Sequence, residues 1–325
     1  MAKIRVAING YGNLGRAVEL AVTRSDDMEV VAIFTRRDPA SLETATGLAT
    51  ASSDMENWVG RVDVCVNCGG SATDLEDQTP EAAAIFNVVD TFDTHARIPE
   101  HFAATDAAAQ AAGHLALIST GWDPGLFSLN RLIGESVLPV GASYTFWGPG
   151  LSQGHSDALR RIDGVVDAVQ YTLPVESVMD RILAGEQLEL TTREKHTREC
   201  WVVAEEGADE DRIREEIVSM PNYFADYDTT VNFVSAEELK RDHSGMPHGG
   251  TVIRLGETSE GTKQVVSFKL ALDSNPEFTG SVVVASARAV ARMAAAGQTG
   301  AITLFDVPPA LLSPLSGEEL RRALL

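Results

Sequence analysis

The chain has 325 residues, 44% of them hydrophobic and 22% charged, and its 47 acidic side chains outnumber 26 basic ones for a formal net charge of −21. That field excludes nucleic acid as an expected partner, because a phosphate backbone is bound by the opposite sign; solubility or a saline habitat would each account for the acidity. No apolar run reaches the length of a membrane span and no signal-peptide core opens the chain, so two domains in the cytoplasm, with no membrane partner, are the expectation.

In chain order, residues 4–9 read as a strand that runs straight into Gly10-Tyr11-Gly12-Asn13-Leu14-Gly15, and a helical pattern follows from Ala17 to Thr23. Each glycine has its own task in such a turn. Gly10 makes the turn, Gly12 lets the backbone approach a pyrophosphate, and Gly15 lets helix and strand pack closely. The helix start then offers free N–H groups and a positive dipole end.

A second strand, Glu29 to Thr35, ends where an NAD-binding chain would carry Asp or Glu, but this chain has Thr35-Arg36-Arg37. A hydroxyl and two guanidiniums suit a 2′-phosphate, although alone they read equally as a solvated basic turn. Joined to the glycine turn at this distance, they point to NADP. Residues 38–60 read as loop plus a short helix.

The third strand, Val62 to Asn67, contains Cys65 and leads to Cys68-Gly69-Gly70-Ser71, small residues where a nucleotide would pass. Cys65 and Cys68 form a C-x-x-C, but with only Cys200 remaining they read as a strand end in preference to a zinc or redox site, and no metal is expected. A helix from Pro80 to Phe86 precedes the fourth strand, Asn87 to Asp90, followed by Thr91-Phe92-Asp93. An alanine-rich helix, Ile98 to Ala112, precedes the fifth strand, His114 to Ser119, which opens into Thr120-Gly121-Trp122-Asp123-Pro124-Gly125. This alternation predicts an α/β fold with a doubly wound, Rossmann-like parallel sheet. Asp93 and Asp123 fall just past two strand ends, where they serve either as caps and turn formers or as functional groups.

From Ser143 the texture changes. Strand-like segments at 143–147, 165–173, 199–204, 229–234, 251–255 and 263–272 alternate with helices at 175–184 and 210–219, which predicts an α+β unit with a mixed sheet. Asn275 to Gly280 is expected to precede a long helix, 282–296, that returns to the first sheet. The expected division is residues 1–122, completed by 275–325, for the nucleotide, and 123–274 for substrate binding and dimerisation.

Three stretches, Thr120 to Gly125, Thr145 to Arg161 and Gly245 to Gly250, closely resemble meso-diaminopimelate D-dehydrogenase, and the likeness runs from Ile4 to Ser313. The resemblance implies NADP-dependent, reversible oxidative deamination of the D-centre of meso-2,6-diaminopimelate to L-2-amino-6-oxopimelate and ammonia, in diaminopimelate and lysine biosynthesis. It also implies a homodimer. The alternatives are another NADP-dependent oxidoreductase of amino or keto diacids, or a non-catalytic NADPH sensor.

The resemblance assigns residues as well. Thr172, Arg198, His248 and Asn275 match positions that hold the non-reacting L-end, and Asp93, Asp123, Trp147, Gln153 and Gly154 match positions around the reacting centre. The nucleotide positions are Gly10 to Gly15, Thr35 to Arg37, Cys68 to Ser71, Thr91 to Asp93 and Thr120 to Pro124. Read without the resemblance, Arg198 beside Glu199 is a surface ion pair and His248 an ordinary loop residue. A substrate with two carboxylates and two ammoniums calls for guanidinium or amide donors at its ends and carboxylates beside its amines. For loss of the amine proton the candidates are Asp123, Asp93 and His155.

Overall fold

A computed structural model describes residues 2–325. In chain order the elements are β1 (Ile4–Asn9), α1 (Asn13–Thr23), β2 (Met28–Thr35), β3 (Ala49–Ala51), β4 (Val64–Asn67), α2 (Leu75–Ala83), β5 (Val88–Val89), α3 (Ile98–Ala112), β6 (Leu115–Leu117) and α4 (Leu126–Val137). There follow β7 (Gly141–Trp147), β8 (Gly150–Leu151), α5 (Gln153–Leu159), β9 (Val165–Pro174), α6 (Glu176–Leu183), α7 (Thr192–Lys195), β10 (His196–Ala204), α8 (Glu210–Ser219), β11 (Asp228–Phe233), α9 (Ala236–Asp242), β12 (His248–Ser259) and β13 (Thr262–Leu272). The chain closes with α10 (Asn275–Ala295), β14 (Gly300–Ile302) and α11 (Gly317–Leu324). These form two compact units, one reaching to Leu129 and resuming at Pro276–Leu325, the other Asn130–Asn275.

The first unit is built on a seven-stranded sheet in the order β14-β6-β5-β4-β1-β2-β3, with every pairing parallel. Strand alternation divides its core in two. Val6 and Ile8 join Val64, Val66 and Leu117 beneath Val18 of α1 and Val283, Ala287 and Val290 of α10, whereas Ala7, Phe34, Cys65 and Val88 pack on Ala82 and Ala83 of α2. Each Val, Leu or Ile side chain buried this fully contributes about 1.5–3 kcal/mol. The sheet order reverses between β1 and β4, and ligands of open α/β sheets sit at the carboxyl ends beside such a reversal.

The second unit carries a four-stranded sheet, β11-β10-β9-β8, and a three-stranded one, β13-β12-β7. In the former, β10 pairs antiparallel with β9 and parallel with β11, so the sheet is mixed. No helix among the described residues is long and apolar enough to cross a membrane.

Several boundaries differ from the sequence expectation. The stretch 38–60 contains the three-residue β3, paired with Ile33 to Thr35 and too short to show a period, together with two 3-10 segments. The second helix begins at Leu75, and Pro80 sits inside it. The strand expected from Glu199 starts at His196, which places Arg198 within it. Asn275 to Gly280 does not precede the long helix but forms its start. Pro276 suits a first turn, where an N–H has no intrahelical acceptor anyway, and Gly280 is small because an added Cβ would lie 2.8 Å from the Ala17 carbonyl carbon.

Candidate active site

In the first unit, Gly10 has φ +99°, and its N–H donates to the Phe34 carbonyl oxygen at 3.0 Å, which turns the chain out of β1. Gly15 is small for packing: a Cβ there would stand 2.2 Å from the Gly10 carbonyl oxygen. Gly12 is different, because its φ of −97° suits any residue and an added Cβ would meet no protein atom within 4 Å. Neither the backbone nor packing requires a glycine there, and its missing side chain leaves room beside the turn. Leu14 turns its side chain to the core, leaving its backbone to the turn.

This turn opens on a cavity of about 720 Å³ lined by Gly10 to Gly12, Thr35 to Arg37 and Cys68 to Gly70. Arg36 pairs with Asp74 at 2.7 Å on the rim, and Arg37 Nη2 donates to the Tyr11 carbonyl oxygen at 2.7 Å, so both guanidiniums are held beside the turn. Hydrogen bonding from the Gly70 N–H, with help from Thr73 and Arg36, holds the Asp74 carboxyl below its ordinary value. A phosphorylated dinucleotide fits this donor set: helix N–H groups for the diphosphate and two forks for a 2′-phosphate.

Sequence reading missed Ser52, Met55, Asp74 and Gln78, which line the same cavity from segments without a readable period. It also missed Glu19. That carboxylate, 1% exposed, accepts from Tyr11 Oη, the Ala45 and Thr46 N–H groups and Thr46 Oγ1, and so ties the glycine turn to loop 42–48. An acidic residue inside the apolar face of α1 was the available signal. Cys65 and Cys68 are both buried, and burial pushes their thiols up.

Asp93 and Asp123 follow β5 and β6. Asp93 is exposed, and its N–H donates to Ser71 Oγ at 2.8 Å; Asp123 is half-buried and precedes a cis proline, Pro124. Between β6 and Asp123, Thr120 bonds Ser286 of α10 at 3.2 Å, and Gly121 approaches Gly125 too closely for a side chain on Gly125. Phe92 and Trp122 bury their rings, against His101 and Phe127, leaving their backbones to the loops.

In the second unit one cross-strand row runs Gly150, Thr172, Arg198, Thr229 through β8, β9, β10 and β11. Arg198 is 7% exposed, so the surface ion pair with Glu199 is not what forms; adjacent strand residues face opposite ways. Its Nη1 donates to Thr172 Oγ1, its Cζ lies 3.9 Å over the Tyr227 ring, and its Nε has no partner. Burial pulls its pKa down from the ordinary value, with Tyr227 opposing.

Around it stand three imidazoles, each shifted toward its neutral form. Burial, aided by the Arg198 charge, pushes His155 and His196 down to about 4, and burial lowers His248 against a hydrogen bond from its ring to the Gly249 carbonyl oxygen. His196 Nε2 accepts the Trp147 N–H at 2.9 Å and its ring stacks on the indole. His155 bonds Ser152 Oγ at 2.7 Å and packs edge-on to Tyr223 and Phe224, a setting that anchors α5. His248 lies over Gly150, where a Cβ would be 2.5 Å from its ring. Gln153 Nε2 is 3.1 Å from Met246 Sδ, and the Asn275 N–H donates to the Met246 carbonyl oxygen at 2.9 Å, so both converge on one loop; Gly154 is exposed in the first turn of α5. His196 and Tyr227 were absent from the sequence reading, although the buried alternation His196, Arg198, Cys200 was there to be found.

Comparison with known proteins finds similarity to diaminopimelate dehydrogenases. A family model, the diaminopimelic acid dehydrogenase C-terminal domain, matches residues 121–274. The meso-diaminopimelate D-dehydrogenase of Lysinibacillus sphaericus is 59% identical, over 100% of both chains. Among solved structures, a Clostridium tetani E88 meso-diaminopimelate dehydrogenase mutant with diaminopimelate has a TM-score of 0.95 and 52% identity, covering 99% of this chain and 100% of its own. In that mutant a Gln, a Thr, an Arg, a Pro, a His and an Asn are replaced. An engineered D-amino acid dehydrogenase bound to NADP+ has a TM-score of 0.87 and 46% identity, with 100% of each chain covered.

Proposed function

The chain belongs to the meso-diaminopimelate D-dehydrogenase family, and on that premise we propose how its residues share the reaction. It is an NADP-dependent amino-acid dehydrogenase that oxidatively deaminates the D-centre of meso-2,6-diaminopimelate, reversibly, to L-2-amino-6-oxopimelate and ammonia. The full-length match to named dehydrogenases favours this reading over the sensor alternative and over another diacid oxidoreductase.

Gly10 to Gly15 with Arg36 and Arg37 hold NADP, which supplies the hydride acceptor when bound. The substrate amine must lose a proton before its carbon can give up hydride, and Asp123 or Asp93 accepts it. Thr172, Arg198, His248 and Asn275 hold the L-end, while Trp147, Gln153 and Gly154 flank the D-centre. The residue types replaced in the Clostridium tetani mutant recur here in the same order and spacing at Gln153, Thr172, Arg198, Pro247, His248 and Asn275, which supports the assignment and adds Pro247. His155, buried and committed to Ser152, positions its helix in this reading and is not the base.

The observation that carries the assignment is the buried Arg198 with an unpartnered Nε, a cation awaiting a carboxylate. The test is NADPH formation with meso-diaminopimelate against the L,L-isomer: equal rates with both would sink it. A homodimer in the cytoplasm completes the proposal, supported by the exposed Leu132, Ile133, Val137, Val140, Val265 and Val266 of the second unit. Light scattering at monomer mass would refute the dimer.

A further inference from the structure

We propose that Asp90, a residue outside the sets assigned above, is a positioning residue that fixes the separation of the two aspartate-bearing loops. The inference rests on the reading of Asp93 and Asp123 as active-site groups. Asp90 follows β5 directly and has no exposure. One of its carboxylate oxygens, Oδ1, accepts the Phe92 N–H at 3.0 Å and the Ser119 N–H at 2.7 Å. Phe92 immediately precedes Asp93, and Ser119 opens the loop to Asp123. The Asp90 carbonyl oxygen also accepts the Thr120 N–H at 3.0 Å. A single residue therefore bonds the backbone of both loops.

The bonded loop is under strain at the point of attachment. Ser119 has φ +53°, a left-handed conformation unfavourable for a non-glycine residue, which persists where its surroundings hold it.

The carboxylate is itself held in place. Its Oδ2 accepts from Thr79 Oγ1 at 2.8 Å and lies 2.6 Å from His101 Nε2, and the His101 ring stacks on Phe92 with centroids 4.1 Å apart. Behind Thr79 stand Asn67, 3.4 Å away through Nδ2, and Asn9, whose Nδ2 donates to Asn67 Oδ1 at 3.0 Å. The line crosses the carboxyl ends of β5, β4 and β1, and all of its side chains are buried.

A buried carboxylate is costly, and apolar side chains of the same volume would often leave such a fold as stable or more so. What apolar side chains cannot do is bind two N–H groups from different loops at one point. Reacting groups have to be held within about 0.5 Å, and a displacement of about 1 Å costs on the order of 10²-fold in rate.

Asp90→Ala is expected to lower kcat about tenfold or more, with the affinity for 2′,5′-ADP, a probe of the adenosine end alone, unchanged. Asp90→Asn, which keeps an acceptor oxygen in place, is expected to recover most of the lost turnover. Wild-type kcat in Asp90→Ala, loss of 2′,5′-ADP binding in parallel with kcat, or an Asn variant as slow as the Ala variant would each overturn the proposal. Should Asp90→Ala fail to fold, Thr79→Val withdraws one donor from Oδ2 and is expected to lower kcat about threefold with 2′,5′-ADP binding kept; unaltered kcat there counts against it. Asp93→Asn and Asp123→Asn run in the same assay separate the two claims. Full turnover in both removes the active-site reading itself, whereas loss in both beside a fully active Asp90→Ala removes only the positioning role.

Discussion

The Arg198 guanidinium lies 3.9 Å over the Tyr227 ring, and among the described residues no carboxylate pairs with it. A fork charged and buried in this way is preorganised for an incoming carboxylate, and a lysine ammonium is a point charge that cannot reproduce its planar geometry. Arg198→Lys is therefore expected to raise the KM for diaminopimelate by about tenfold or more, with a smaller loss of kcat. Steady-state kinetics decide it, and the opposite split would mean that Arg198 is no anchor.

The glycine turn offers a contrast within one loop. Gly12→Ala adds a methyl group that meets no protein atom, so its melting temperature should stay near that of the parent while NADP binding weakens. Gly15→Ala drives a Cβ to 2.2 Å from the Gly10 carbonyl oxygen and should lower the melting temperature. Calorimetry with and without NADP measures both. Equal melting losses in the two variants would contradict the different reasons given for the two glycines.

Asp123→Asn removes a proton acceptor without changing shape. Turnover is expected to fall at least about tenfold, about 1.4 kcal/mol of transition-state stabilisation, with NADP affinity kept. Undiminished turnover in single-turnover measurements would take Asp123 out of the chemistry.

Glu19 predicts a pH effect on stability. Burial alone would raise its pKa, but hydrogen bonds from Thr46, Tyr11 and Ala45 outweigh burial and leave it below the ordinary 4.5. A carboxylate depressed in the folded state adds stability that is complete above its unfolded pKa and is lost as the pH falls through its folded one. Glu19→Gln should thus lose stability at neutral pH and show a shallower acid limb below pH 4.5 than the parent chain. Urea melts across that range test it, and parallel curves would refute it.

Local chemistry made much of the protein legible in the sequence. Gly10 and Gly15 are glycines for backbone and contact reasons within a few residues, and β1 and β2 announce themselves by apolar runs that end at the turn and at Thr35. The parallel sheet follows from strand and helix alternation, and the family resemblance from motifs each contiguous in the chain. Three-residue elements such as β3 and β14 carry no period, and their existence depends on a neighbouring strand.

What the tertiary structure alone decided was which polar groups are buried and what answers them. Nothing near Arg198 in sequence indicates that Tyr227 lies beneath it, and nothing near Asp90 shows that one carboxylate oxygen collects N–H groups from Phe92 and Ser119, a contact spanning 29 positions of chain. The physical reason is that desolvation and hydrogen-bond closure depend on distance in space, and the chain's order of residues records only the local part of that distance.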